Sequence, residues 1–163
     1  MDIRDLLKQE HKEAVDLATR ICESHDPAEA RELFNELKLA LTLHSRAEER
    51  VVYRALEKSD VPAAQDIGHE GEIEHSLLDH LMDQMSRGRA DSDAWQARAK
   101  VLKELLTHHV TEEHEEMFPQ LGRLFSAQER ASMCDRFEAA KAQVAKAPVR
   151  QTKTAAEAAA RPT

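Results

Sequence analysis

The chain has 163 residues, a net charge of −8, four glycines, five prolines and 4% aromatic residues. That length sets one domain with a sizeable core, and abundant Ala, Glu, Leu and Lys with few β-branched or aromatic residues sets an all-α fold. The negative charge argues against nucleic acid or an anionic membrane surface as the main partner, and no apolar run reaches the roughly 18 residues of a membrane span.

Five helices are predicted in chain order. The N-terminus carries no apolar signal-peptide core, so the expected compartment is the cytoplasm. Asp2 caps the first helix, which places Ile3, Leu7, His11, Ala14, Ala18 and Ile21 on one stripe. Asp26-Pro27-Ala28-Glu29 opens the second, whose stripe runs Leu33, Leu37, Ala40, His44, Ala47/Glu48, Val51 and Ala55 to an end near Ser59. The third opens at Asp60-Val61-Pro62 and carries Ile67, Gly71, His75, Leu78, Met82 and Met85 until Gly88 stops it. Gly68 and Gly71 imply either a bend or a close helix approach. From Ser92 the fourth carries Trp95, Ala99, Leu102, Leu105/Leu106, His109, Glu113 and Met117, with Pro119 as its expected end. Ser126-Ala127-Gln128-Glu129 is a capping box for a fifth helix reaching about Ala147. The basic, Ala-rich stretch 148–163 is expected to be a flexible tail, leaving 1–147 as the domain. Short loops between long helices predict an antiparallel up-down-up-down four-helix bundle with an additional C-terminal helix.

Two segments repeat one signature: His44-x-x-x-Glu48 and His109-x-x-x-Glu113, preceded by Glu10-His11 and Glu74-His75. The offsets are 64 residues from His11 to His75, and 65 from His44 to His109 and from Glu48 to Glu113. Residues four apart share a helix face. Each repeat therefore offers an imidazole and a carboxylate on one face, and its partner helix adds a second imidazole. All six residues fall on the interior stripes. A buried, unpaired carboxylate costs several kcal/mol, so Glu48 and Glu113 require either protonated histidines or metal. The duplication favours metal. Imidazole and carboxylate without thiolate suit Fe, Mn, Zn or Cu, and bundle cores of inward Glu and His house di-iron and di-manganese sites. Each glutamate would bridge two ions with two terminal histidines apiece, leaving room for O2 or peroxide. Cys22 and Cys134 stand alone and are expected as reduced thiols.

The ordered set Glu10-His11, His44-Ser-Arg-Ala-Glu48-Glu49 with Val52-Tyr53, Glu74-His75, and His108-His109-Val-Thr-Glu112-Glu113 with Met117-Phe118-Pro119 resembles the hemerythrin-like HHE cation-binding domain family. The resemblance covers about residues 1–147. It implies an antiparallel bundle around two iron ions joined as an Fe–O–Fe centre, Mn or Zn being possible substitutes, and an O2-binding, sensing, storage or oxidative-stress role. Metal ligands would be His11, His44, Glu48, His75, His109 and Glu113. Oxygen-carrying members place a further His where this chain has Asp79. Either Asp79 or Glu72, three residues before His75, is then the candidate replacement carboxylate.

The other polar residues read as structure. His25 sits in the turn between the first two helices; His69, His80 and His114 fall off the stripes and are expected in solvent, with His108 at the surface or behind a ligand. Glu49, Glu112, Glu115 and Glu116 form an expected solvated acidic face. Tyr53, Phe118, Trp95 and Phe34 are expected as apolar anchors, and Met82, Met85 and Met117 as core. Two further functions remain open: a di-iron enzyme with peroxide-dismutating or ferroxidase activity, and a metal-free helical interaction module using the fifth helix and tail. No nucleophile or phosphate loop suggests other chemistry.

Overall fold

The computed structural model describes residues 1–147; the tail expected at 148–163 lies outside the described residues. Among the described residues all regular structure is helical. Helix α1 spans Ile3–Glu23, and Asp2 caps it by accepting from Arg4 N. Helix α2 spans Pro27–Glu48, with Asp26 as N-cap and Pro27 in the first turn. It runs on through a π turn, Glu49–Tyr53, into a short α-helical turn, Arg54–Glu57. Helix α3 spans Pro62–Arg87. Helix α4 spans Asp93–Glu112 and continues through a second π turn, Glu113–Met117, into Phe118–Leu124. The Ser126/Glu129 capping box starts α5, Ala127–Lys146.

Helix α1 packs on α2 and α4, and α3 packs on α4 and on the continuation of α2. The result is a ring of four antiparallel neighbours. Helix α5 lies along the outside of α2 and its π turn, touching α1 as well. Two apolar clusters fill the bundle. One, around Leu37, Leu78, Trp95 and Leu102, occupies the end bearing the α3–α4 loop. The other, around Leu7, Tyr53, Leu121 and Phe137, draws on α5. The buried polar residues His11, His44, Glu48, His75, His109 and Glu113 belong to neither cluster. No helix among the described residues is long and apolar enough to cross a membrane.

Two local expectations change. Pro119 does not end the fourth helix; it sits in the first turn after the second π turn, and the chain stays helical to Leu124. Gly88 ends α3 as expected, in an extended conformation (φ −89°); a Cβ there would stand 3.2 Å from Trp95 Cδ1. The guanidinium of Arg31 and the indole of Trp95 take up the terminal carbonyls, both donating to Met85 O at 3.0 Å. Finally, the π turn of α2 shifts the buried stripe by one residue. Leu56 is fully buried, whereas Ala55 is only partly covered.

Candidate metal centre

The π turns matter because each begins at an interior glutamate: the first immediately after Glu48, the second at Glu113 itself. Five residues on, a regular α-helix has rotated about 140° from the starting face. A wider π turn rotates less per residue, so Tyr53 and Phe118 come back under the same face. Neither turn shows in a periodicity pattern.

Four imidazoles meet in two pairs. His11 Nε2 lies 3.2 Å from His44 Nε2, and His75 Nε2 lies 3.1 Å from His109 Nε2. Each glutamate spans both pairs. Glu48 Oε2 is 3.2 Å from His44 Nε2 and 3.5 Å from His75 Nε2. Glu113 puts Oε2 at 3.2 Å from His11 Nε2 and Oε1 at 3.7 Å from His109 Nε2. One ligand group is Glu48, His75, His109 and Glu113, and another is His11, His44 and Glu48; within each, donor atoms lie within 4.8 Å of one another. The close approaches are misaligned for hydrogen bonding, so both oxygens of Glu48 and Oε2 of Glu113 stay unpartnered although buried. Orphaned buried carboxylate oxygens facing imidazole nitrogens are a donor set suited to a cation.

The outer nitrogens explain how the rings are held. His44 Nδ1 donates to Glu10 Oε2 at 2.8 Å, and His75 Nδ1 donates to Glu49 Oε1 at 3.0 Å. His109 Nδ1 faces Glu74 Oε2 at 3.5 Å, and His11 Nδ1 shares a 3.0 Å hydrogen bond with His114 Nε2. Committing Nδ1 outward leaves Nε2 of the neutral ring as the inward lone pair, the arrangement that orients metal-binding imidazoles. Lys141 of α5 anchors Glu10, and Phe137 sets its ring edge-on to His44 at 5.7 Å. Arg46 holds Glu49.

Without a cation, the cluster balances itself with protons. Burial works against charge on His44, yet Glu48 and Glu10 raise it to about 10. His75 is likewise raised to about 9 against burial, by Glu48 and Glu49. Burial would raise Glu48, but His44 and His75 hold it well below the usual carboxylate range. Burial and the charge of Glu48 push Glu113 up to about 7. His11 is driven well below the usual imidazole value by burial and by His44.

Several expectations are corrected here. Glu72 is exposed, on the outward side of α3 beside inward Gly71. Asp79 is bound by Arg46 instead of joining the cluster. Glu49 is not part of a solvated face, since its carboxylate backs His75. His114 leaves solvent to back His11 and stacks on Phe118. Tyr53 is more than an apolar anchor: its buried hydroxyl donates to Glu113 Oε1 at 2.5 Å. A Cβ on Gly71 would stand 2.4 Å from Tyr53 Cζ, so close helix approach is the reason for that glycine. His108 pairs with Glu112 at the surface, and His25, His69 and His80 are exposed. The repeat itself carried the missed signal. Glu10 and Glu74 hold equivalent places one residue before a histidine, and Glu49 and His114 equivalent places one after a glutamate.

The model of the hemerythrin HHE cation binding domain matches residues 2–121. The chain belongs to this family. Its buried His/Glu cluster is accordingly read as a cation site. Helix α5 lies beyond the stretch that the family model matches, although Lys141 and Phe137 support His44. A curated relative, the DNA nickase of Nostoc sp. (strain PCC 7120 / SAG 25.82 / UTEX 2576), is 25% identical over 149 residues. The match covers 88% of this chain and 40% of the relative, so the HHE chain spans about two fifths of that protein. No solved structure gives a significant match.

Proposed function

We propose that His11, His44, Glu48, His75, His109 and Glu113 hold two iron ions, and that the centre reacts with O2 or a peroxide in a cytoplasmic sensing, storage or protective role. The observation that supports this reading is that each of two buried glutamates reaches both imidazole pairs, as a carboxylate shared by two cations must. Iron would supply a one-electron change at each ion. The chain's own residues do the rest. Glu10 and Glu49 fix His44 and His75 by Nδ1 and raise their basicity, and Glu74 stands 3.5 Å from His109 Nδ1. The Tyr53 hydroxyl holds Glu113 Oε1 and leaves Oε2 directed at His11. Ferrous loading without oxygen, then titration with hydrogen peroxide, tests the reading. Two irons per chain, a near-ultraviolet band and an end point of one peroxide per two irons support it; one ion or none after reconstitution refutes it. Continued turnover of excess peroxide would favour the dismutating enzyme.

The name of the Nostoc relative raises a second reading, DNA nicking. The net charge of −8 opposes it, because binding a phosphate backbone is driven by basic side chains. Conversion of supercoiled plasmid to relaxed circles by the metal-loaded chain, lost with Glu48→Ala, would establish it.

A further inference from the structure

Between α1 and α2 a cavity of about 560 Å³ opens from the surface and ends on the rings of His11, His44, His75 and His109. It touches neither Glu48 nor Glu113. This cleft therefore reaches the imidazole side of the centre, and the only approach to Glu113 among the described cavities, between α3 and α4, holds about 20 Å³. Short side chains, Ala14 on the inner wall and Ala40 at the exposed mouth, leave the gap between the helices. Leu17, Leu41, Leu78, Leu106 and Val110 complete an apolar lining.

Size and charge narrow what such a cleft takes. One water claims about 30 Å³ of liquid, and pockets for organic ligands begin at about 300 Å³. O2 or hydrogen peroxide alone would leave most of the cleft to water against leucine, an unfavourable arrangement. At the mouth Glu10 is paired with Lys141, leaving Glu13, Asp16 and Glu36 against Arg20, with Lys12 reaching Asp16. The rim is net negative, which disfavours an anionic head group.

We propose that this cleft is a substrate site for an uncharged organic hydroperoxide with an apolar body. The proposal rests on the di-iron reading. The hydroperoxide O–O bond breaks, two ferrous ions each give one electron and become ferric, and two protons from solvent are taken up. The products are the alcohol and one water. The apolar body lies along Ala14, Leu17 and Leu106 while the hydroperoxide end meets the imidazole side.

The test uses the full chain and two readouts. In the first, 2-phenyl-2-propanol, the redox-inert product of cumene hydroperoxide, is titrated into zinc-loaded and metal-free protein under amide NMR. Saturable shifts at Ala14, Leu41 and Leu106, lost in Ala14→Phe and Ala40→Trp, are expected. In the second, stopped flow on the ferrous-loaded chain compares cumene hydroperoxide with hydrogen peroxide. The ratio of their rates should fall roughly tenfold or more in either variant. Ala40 is exposed, so Ala40→Trp keeps the test decisive if Ala14→Phe fails to fold. Oxidation by hydrogen peroxide without alcohol binding overturns the cleft assignment and leaves the di-iron reading standing. Alcohol binding with no oxidation by either peroxide overturns the di-iron reading and, with it, the hydroperoxide as substrate. An unchanged rate ratio in Ala40→Trp also overturns the proposal.

Discussion

The α1–α2 half and the α3–α4 half supply the same ligand types at nearly the same spacing, yet they back them differently. At the position after the interior glutamate, the first half has Glu49, which accepts from His75, and the second has His114, which meets His11. Five residues after it, the first half has Tyr53, with a hydroxyl on Glu113, and the second has Phe118, stacked on His114. Two imidazoles, His44 and His75, thus lean on carboxylates by hydrogen bonds, His109 stands 3.5 Å from Glu74 without one, and His11 leans on another imidazole. An imidazole backed by a carboxylate is the more basic donor. The repeat makes a near-symmetric cage; the residues one step behind it make the two imidazole pairs unequal.

The largest effect should come from what both halves share. Glu48→Ala and Glu113→Ala each remove a carboxylate common to both pairs, so each should cost both ions, while His25→Ala retains them. Metal analysis after reconstitution decides; loss of one ion only would mean that the halves bind independently. Removing metal comes next. A cation at a hundredfold above its dissociation constant stabilises by about 2.7 kcal/mol, or about 5–10 °C in a domain of this size. Equal melting of apo and loaded forms would make the cluster self-sufficient and favour a metal-free interaction module.

The pH dependence of that difference has a definite sign. His44 and His75 have folded values of about 10 and about 9, above 6.5. Their contribution to the metal-free fold is fully present below pH 6.5 and is lost as pH rises through 9 to 10. Metal-free protein should therefore melt progressively lower from pH 7 to pH 10, and the loaded protein, its imidazoles neutral throughout, should not share that decline. Parallel curves would contradict the ion-pair account.

Smaller effects separate the halves. Glu49→Ala should weaken one ion about 10–100-fold, and His114→Ala should weaken the other by less. Competition with a chelator reads both, and identical losses would erase the asymmetry. Smallest is Tyr53→Phe, which leaves metal bound, costs about 1–2 kcal/mol and shifts the optical spectrum of the iron form. His11→Ala serves as the comparison, since it removes a donor outright.

The helices were legible because long amphipathic stripes bounded by Asp2, Asp26-Pro27 and Ser126 specify them without tertiary help. His11, His44, Glu48, His75, His109 and Glu113 stood out because the repeat placed charged groups where the stripe demanded apolar ones. The backing residues did not. Whether Glu10 meets His44 depends on the register between α1 and α2, which periodicity within either helix leaves open. Spacing from His75 alone places Glu72 inward; with Gly71 on the inner face it is about 100° away and faces out. Asp79 stands at the margin, where Arg46 from the neighbouring helix claimed it.

The family pattern ends before α5 begins, but the hydrogen-bond network does not. A chain truncated after Phe125 would keep all six convergent side chains while stripping Glu10 of Lys141 and His44 of Phe137. The inherited module and the working one therefore have different boundaries. Substitutions in α5 can therefore change how Glu10 and His44 are held without altering any position inside the stretch that the family model matches.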